Sequence, residues 1–252
     1  MIVHVNSPEL YAHILEFEHR RADGEPVRMY LAEGDSWFSL GGFGNGNLLG
    51  ALDTMSTLIV DCAAPGDTLR KIADCGNDVF RLMLRPHYGA HWDGVLLSAG
   101  GNDLLGDVGA LIEYGEPSHG NIAAALEGIL RGYMRIVAAI RAHQDCPIHA
   151  HTYDYPAPDT WGGWFRAGPW IANRLLDHGI AAHRHASIVT DLVDALAETI
   201  YSAAAKTGMV VYDTRGTLEA RVWRRFGGQA DWRNELHPTR AGYARLAARW
   251  AL

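Results

Sequence analysis

Cysteine is scarce in this chain. Cys62, Cys75 and Cys146 are the three present, and they are widely spaced. Three such cysteines form neither a disulfide framework nor a zinc knuckle. Long apolar runs are also missing: no stretch of about 18 apolar residues occurs, so no membrane span is expected. Positive charge is in the minority, with 22 Lys and Arg against 29 Asp and Glu and a formal net charge of −7. That balance argues against nucleic acid or an anionic membrane surface as the main partner. The N-terminus, Met1 to Glu9, has no basic region followed by an apolar one, so no secretory signal is read. A reducing, cytoplasmic setting is the simplest expectation. No His-Glu-x-x-His segment exists. The glycine-rich run Gly41 to Asn47 lacks dinucleotide spacing, because position 47 is Asn, and no Walker lysine follows. An active-site rim is the better reading of that run, with a nucleotide-binding α/β protein kept as a remote alternative.

What is present is a core-forming composition. Of 252 residues, 48% are hydrophobic and 20% charged. Residues 1–252 are read as one large domain, without internal repeat or linker. Short apolar strands are expected at about 27–33, 57–62, 94–98, 147–152 and 209–212. Helices are expected at 8–22, between 67 and 85, at 121–143, 169–178 and 187–206, and from Thr239 to Trp250 with Thr239 as N-cap. The stripe Ile122, Leu126, Ile129, Leu130, Tyr133, Met134, Val137 and Ile140 is read as core-facing. Strands alternating with helices predict a parallel sheet covered on both faces, with ligands at the carboxyl ends of the strands.

Four segments carry the chemistry. Gly34-Asp35-Ser36, Gly66, and Gly100-Gly101-Asn102-Asp103 each follow an expected buried strand, and His237-Pro238 lies near the C-terminus. A serine, a glycine amide, an asparagine amide and a histidine are what acyl transfer needs: nucleophile, oxyanion donors and base. Each segment alone reads as a turn or a cap; the ordered set favours function.

In that order the segments resemble the four blocks of the SGNH hydrolases, also called GDSL esterases and lipases. The resemblance spans nearly the whole chain. It implies a three-layer α/β/α sandwich of flavodoxin-like type, with a five-stranded parallel sheet in order 2-1-3-4-5. It implies Ser36 as nucleophile, His237 as general base, and an oxyanion hole from the Ser36 and Gly66 amides and the Asn102 side chain. Asp35 and Asp103 are expected to hold loops. The implied activity is hydrolysis of a small-molecule carboxylic ester without cofactor or metal. A carbohydrate O-acetyl esterase, an acyltransferase, and a weakened ligand-binding protein on this scaffold stand as alternatives.

One position departs from the family pattern. Its Asp-x-x-His acid falls at 234, which here is Asn234. An amide can accept a hydrogen bond from Nδ1–H but cannot stabilise imidazolium as a carboxylate does. Asp231 is the leading replacement, Glu235 a second, and a backbone carbonyl or Asn234 itself a third.

The remaining candidates divide the same way. His149 and His151 share one strand face, with Asp154 close behind and His183 and His185 as a further pair. Strand-end polar residues are preferred here over a metal cluster. The aromatic loop with Tyr153, Tyr155, Trp161, Trp164, Phe165 and Trp170 suits either substrate contact or a cover for the sheet end.

Overall fold

The structure is a computed structural model that describes residues 1–41, 46–74, 78–87, 90–159, 170–219 and 231–252. Its strands and helices follow in chain order: β1 (Ile2–His4), α1 (Leu10–Ala22), β2 (Arg28–Gly34), α2 (Ser36–Ser39), α3 (Leu48–Leu52), β3 (Thr57–Asp61), α4 (Leu69–Asp74), α5 (Asp78–Leu84), β4 (Gly94–Ser98), α6 (Gly101–Leu104), the hairpin β5 (Ile112–Glu113) and β6 (Glu116–Pro117), α7 (His119–Arg141), β7 (Ile148–His151), α8 (Ala172–Asp177), α9 (His185–Thr207), β8 (Val210–Tyr212) and α10 (Arg240–Ala247). Six strands form one parallel sheet in order β1-β3-β2-β4-β7-β8.

Five of these are the expected strands, in the expected 2-1-3-4-5 order. The sixth, β1, was not anticipated. Its register sets Ile2 against Ile59 and His4 against Asp61 at the sheet edge. Three residues, Ile2 to His4, ahead of Asn6-Ser7-Pro8 are too short a run for a period to stand out in the sequence. The small antiparallel hairpin β5–β6 was likewise missed.

Central strands are buried on both sides, as a parallel sheet between helices requires. From Met29 to Gly34 every residue of β2 is buried, and β4 is buried throughout. On α7, Ile129, Tyr133, Ile136, Val137 and Ile140 are buried at helical spacing, whereas Met134 is exposed. Burying each such side chain is worth roughly 1.5–3 kcal/mol. The helix packs on α4 and α9, while α3 packs on α10 and α2. Ser118 starts α7 by accepting the Asn121 amide, and Thr239 starts α10 by accepting that of Gly242, each cap worth about 1 kcal/mol.

Parallel pairing puts the ends of β2, β3, β4 and β7 on one edge of the sheet. Gly34 shows how tight this edge is. A Cβ there would lie 2.5 Å from the Ser98 carbonyl oxygen, so only glycine lets β2 and β4 approach at this point. Among the described residues no helix is long and apolar enough to cross a membrane.

Candidate active site

Ser36 opens α2 directly after β2. Asp35 is its N-cap: the carboxylate accepts the Trp37 amide at 2.9 Å, and the Asp35 carbonyl accepts those of Phe38 and Ser39. The tight turn fixes Ser36 at the strand end. His237 arrives from a distant part of the chain, 201 positions on, and its Nε2 lies 2.9 Å from Ser36 Oγ. Two further contacts hold the segments together. Trp37 Nε1 donates to the Leu236 carbonyl at 2.9 Å, and the Trp170 ring meets His237 edge-on at 5.5 Å.

The other face of the imidazole decides its tautomer. His237 Nδ1 lies 3.0 Å from Asn234 Oδ1. That same oxygen accepts the backbone amides of Leu236 at 3.0 Å and His237 at 2.8 Å. Two amides that can only donate fix the oxygen of Asn234, not its NH₂, toward the ring. Nδ1 therefore carries the proton, and Nε2 is left as the acceptor facing Ser36.

This arrangement corrects the expectation for Asp231. Its carboxylate accepts the Glu219 amide at 2.9 Å and pairs with Arg245 at 2.8 Å. Its carbonyl accepts Thr239. The turn through 234–237 faces the residue three before His237 toward Nδ1, and Asp231 lies outside that turn. Glu235 is also committed elsewhere. Fully buried, it accepts the amides of Asp159, Ile171 and Ala172 at 3.0, 3.0 and 2.7 Å. It thus joins both ends of the 159–172 segment to the His237 loop.

With no carboxylate on Nδ1, burial dominates the histidine. Removal from water, assisted by the nearby Arg233 cation, pushes the His237 pKa down to about 4.

Ser36, Gly66, Asn102 and His237 line one cleft of about 530 Å³, with Leu40, Pro65, Leu236 and Trp170 as apolar wall. Gly66 has φ +79°, a left-handed backbone that open space alone would not let another residue adopt cheaply. No hydrogen-bond partner of the Ser36 or Gly66 amide occurs among the described residues. Asn102 Nδ2 donates to the Asp67 carbonyl at 3.0 Å, which identifies the NH₂ end and leaves its second hydrogen. Asp103 caps α4, accepting Leu69 at 2.6 Å and Arg70 at 3.3 Å.

Beneath Ser36 lies a polar cluster that the sequence did not reveal. Asp35, Ser98, His151 and Tyr153 are all buried. Tyr153 donates to one Asp35 oxygen, and Ser98 Oγ lies 3.0 Å from the other and 3.0 Å from His151 Nε2. Burial pushes Asp35 up to about 6 and His151 down to about 4. The only signal was a histidine two residues beyond another on a strand, which also fits a surface pair. His149 instead meets the Tyr212 hydroxyl at 2.9 Å. Among the described residues no group of three or more His, Cys, Asp or Glu side chains could hold a metal ion.

Two other expectations resolve unevenly. Tyr153 belongs to the buried cluster and Trp170 to the cleft; Trp161, Trp164 and Phe165 lie outside the described residues, as do Cys75 and residues 42–45. The described ends of the glycine-rich run do not border the cleft. Gly41, Gly46 and Asn47 line a separate pocket with Ile2 and Arg240, and Asn47 caps α3 through Gly50.

The sequence model of the GDSL-like lipase/acylhydrolase family matches residues 34–245. The chain belongs to that family. Solved structures agree in fold. An SGNH-hydrolase-type protein from Slackia heliotrinireducens superposes with a TM-score of 0.53 at 16% identity, covering 88% of this chain and 96% of that one. An extracellular lipase from Streptomyces rimosus gives 0.55 at 16%, covering 87% and 96%. A lipolytic G-D-S-L protein from Veillonella parvula gives 0.52 at 12%, covering 88% and 96%. No curated protein sequence matches. Membership of this GDSL family supports a hydrolase of esterase or lipase type, and the α/β/α sandwich is the family's fold.

Proposed function

We propose that this GDSL-family chain hydrolyses a carboxylic ester through an acyl-enzyme on Ser36. The observation that carries the reading is the 2.9 Å contact of Ser36 Oγ with an unprotonated His237 Nε2, in a cleft shared with Gly66 and Asn102. Nε2 takes the Ser36 proton as Oγ bonds to the ester carbon. The carbonyl electrons move onto oxygen, which faces the Ser36 and Gly66 amides and the free Asn102 hydrogen. Collapse breaks the bond to the alcohol, which leaves with the proton from Nε2. Water then repeats the sequence: it gives a proton to Nε2, bonds to the acyl carbon, and releases acid and Ser36.

Asn234 fits this scheme with a penalty smaller than an amide at this position implies in general. In the serine-protease Asp-to-Asn case, a loss of about 10⁴ in kcat comes from the wrong tautomer. Here the two backbone donors hold the amide oxygen on Nδ1, so the tautomer is the productive one. What is forgone is charge stabilisation of the imidazolium. The apolar wall of Leu40, Pro65, Leu236 and Trp170 and the modest cleft volume suit a small acyl or alcohol group.

A fluorophosphonate probe and a chromogenic short-chain ester test the reading. The wild type should label at Ser36 and show a burst of alcohol equal to the active sites. Ser36→Ala should lose both. Labelling that persists in Ser36→Ala would overturn the assignment. Binding of ester without any burst would instead favour a ligand-binding role for the cleft.

A further inference from the structure

The cluster under the nucleophile does not balance in protons if each group is taken alone. His151 Nδ1 lies 2.6 Å from the Thr152 carbonyl oxygen. A carbonyl only accepts, so Nδ1 carries a hydrogen. Ser98 Oγ has one hydrogen and two neighbours at 3.0 Å, Asp35 Oδ1 and His151 Nε2. If Ser98 gives it to an ionised Asp35, a neutral Nε2 turns a lone pair on the serine oxygen. If Ser98 gives it to Nε2, an ionised Asp35 oxygen does the same. Both leave a buried repulsion where native interiors pair their polar atoms. The Tyr153 hydroxyl, 3.4 Å from Ser98 Oγ, does not resolve the count, because its one hydrogen goes to the other Asp35 oxygen. A Ser98 hydrogen turned to it would leave both Asp35 Oδ1 and Nε2 facing a lone pair.

We infer that Asp35, Ser98 and His151 hold one additional proton in common through neutral pH, so that the turn carrying Ser36 stays without net charge. The proton has two resting places. On Asp35 Oδ1 it donates to Ser98 Oγ, whose own hydrogen goes to Nε2. Transfer breaks the Asp35 O–H bond, forms a new one on Ser98, and passes the serine hydrogen to Nε2. The result is an Asp35 carboxylate and a His151 imidazolium, with the same atoms and zero net charge. Loss of the proton to solvent would recreate the lone-pair clash, which holds it above the range of an isolated buried carboxyl.

The surroundings reinforce this. Asp35, Ser98 and His151 are 2%, 0% and 0% exposed, and a lone charge there is costly. The ionisable groups facing Asp35 are the Tyr153, Tyr133 and Tyr243 phenols, all pushed above their ordinary value by burial, and Asp103. His151 is enclosed by Trp37, Phe38, Tyr153 and Trp250. None of these supplies a compensating cation. An unbalanced Asp35 carboxylate would oppose the negative charge that develops on the substrate oxygen beside the adjoining Ser36 amide. His151 is thus a positioning residue that acts through Asp35.

Nitrogen NMR of the intact, 15N-histidine-labelled protein tests the proton count without reference to activity. His151 is assigned by difference from His151→Phe, or from His151→Gln should the first not fold. Nδ1 should stay protonated from pH 5 to 8.5 whether or not the extra proton is held. Carboxyl 13C shifts, with Asp35 assigned by difference from Asp35→Asn, therefore complete the count: at pH 7 either the Asp35 carboxyl or His151 Nε2 should carry a proton. An ionised Asp35 carboxyl beside an unprotonated Nε2 at pH 7, or a neutral Nε2–H tautomer, would overturn the proposal. The kinetic arm rests on the ester-hydrolase reading. Wild-type kcat should be level between pH 5 and 8. In His151→Phe it should fall about tenfold or more over that range as Asp35 ionises alone, and Asp35→Asn combined with His151→Phe should be level again. Superimposable wild-type and His151→Phe profiles would overturn the functional role. A wild type inert toward esters would count against the hydrolase reading, and the NMR result would decide the proton count.

Discussion

Asn234 Oδ1 sits 3.0 Å from His237 Nδ1 while also accepting the amides of Leu236 and His237. An amide thus occupies the family's acid position and presents the correct atom. It orients the base without charging its surroundings, and that difference yields the first prediction.

Asn234→Asp should raise kcat by roughly 10- to 100-fold, because a carboxylate keeps the tautomer and adds stabilisation of the imidazolium. It should also move the acid limb of the pH profile upward, since an adjacent negative charge favours protonated histidine. Asn234→Ala should lower kcat. Steady-state kinetics across pH on the three proteins separates these effects.

The wild-type acid limb should lie unusually low. Activity requires neutral His237, whose pKa is pushed down to about 4. As pH falls, kcat/KM should therefore hold to about 4 instead of declining near 6.5. Stability should move with the same group. The unfolded chain takes up the proton near 6.5, the folded one only near 4. The histidine's contribution is complete above 6.5 and is lost as pH falls from 6.5 toward 4. The raised carboxyl of Asp61, near 6, acts in the opposite sense as pH rises from about 4 to 6. Comparing wild type with His237→Gln in urea melts at pH 4 and 7 isolates the histidine.

Asn102→Ala should cut kcat by about 10²–10³ with little change in KM, because the missing hydrogen bond is made to the developing oxyanion. A rise in KM at constant kcat would show that Asn102 binds the ground-state ester instead.

Asp231 and Glu235 should behave as structural carboxylates. Asp231→Asn should weaken the tie to Arg245 and Glu219 and lower stability by about 1–3 kcal/mol while kcat stays within a few-fold. Glu235→Gln turns one amide group toward backbone donors, so it should lower stability and, through Trp170, raise KM. Thermal melts together with Michaelis kinetics distinguish the pair from a catalytic acid.

Much of this was written locally. Apolar runs such as Gly94-Val95-Leu96-Leu97-Ser98 carry β4 within their own composition, and the stripe on α7 has helical period whatever it packs against. Gly34-Asp35-Ser36 announces a turn because aspartate caps and glycine admits a close neighbour. The order of the four segments along the chain sufficed to place Ser36, Gly66, Asn102 and His237 together as candidates.

The tertiary structure decided what depends on direction and on long-range proximity. The sequence reading puts Asp231 ahead of Glu235 and of Asn234 as the partner of the imidazole; the 234–237 turn chose Asn234, whose Oδ1 faces Nδ1 across three residues. Strand periodicity put His151 on a face, but not in which company. Only the parallel pairing of β2 with β4 and of β4 with β7 sets His151 against Ser98 and Ser98 against Asp35. A hydrogen bond needs two atoms within about 3 Å, and across more than fifty residues of chain that distance is a property of the fold.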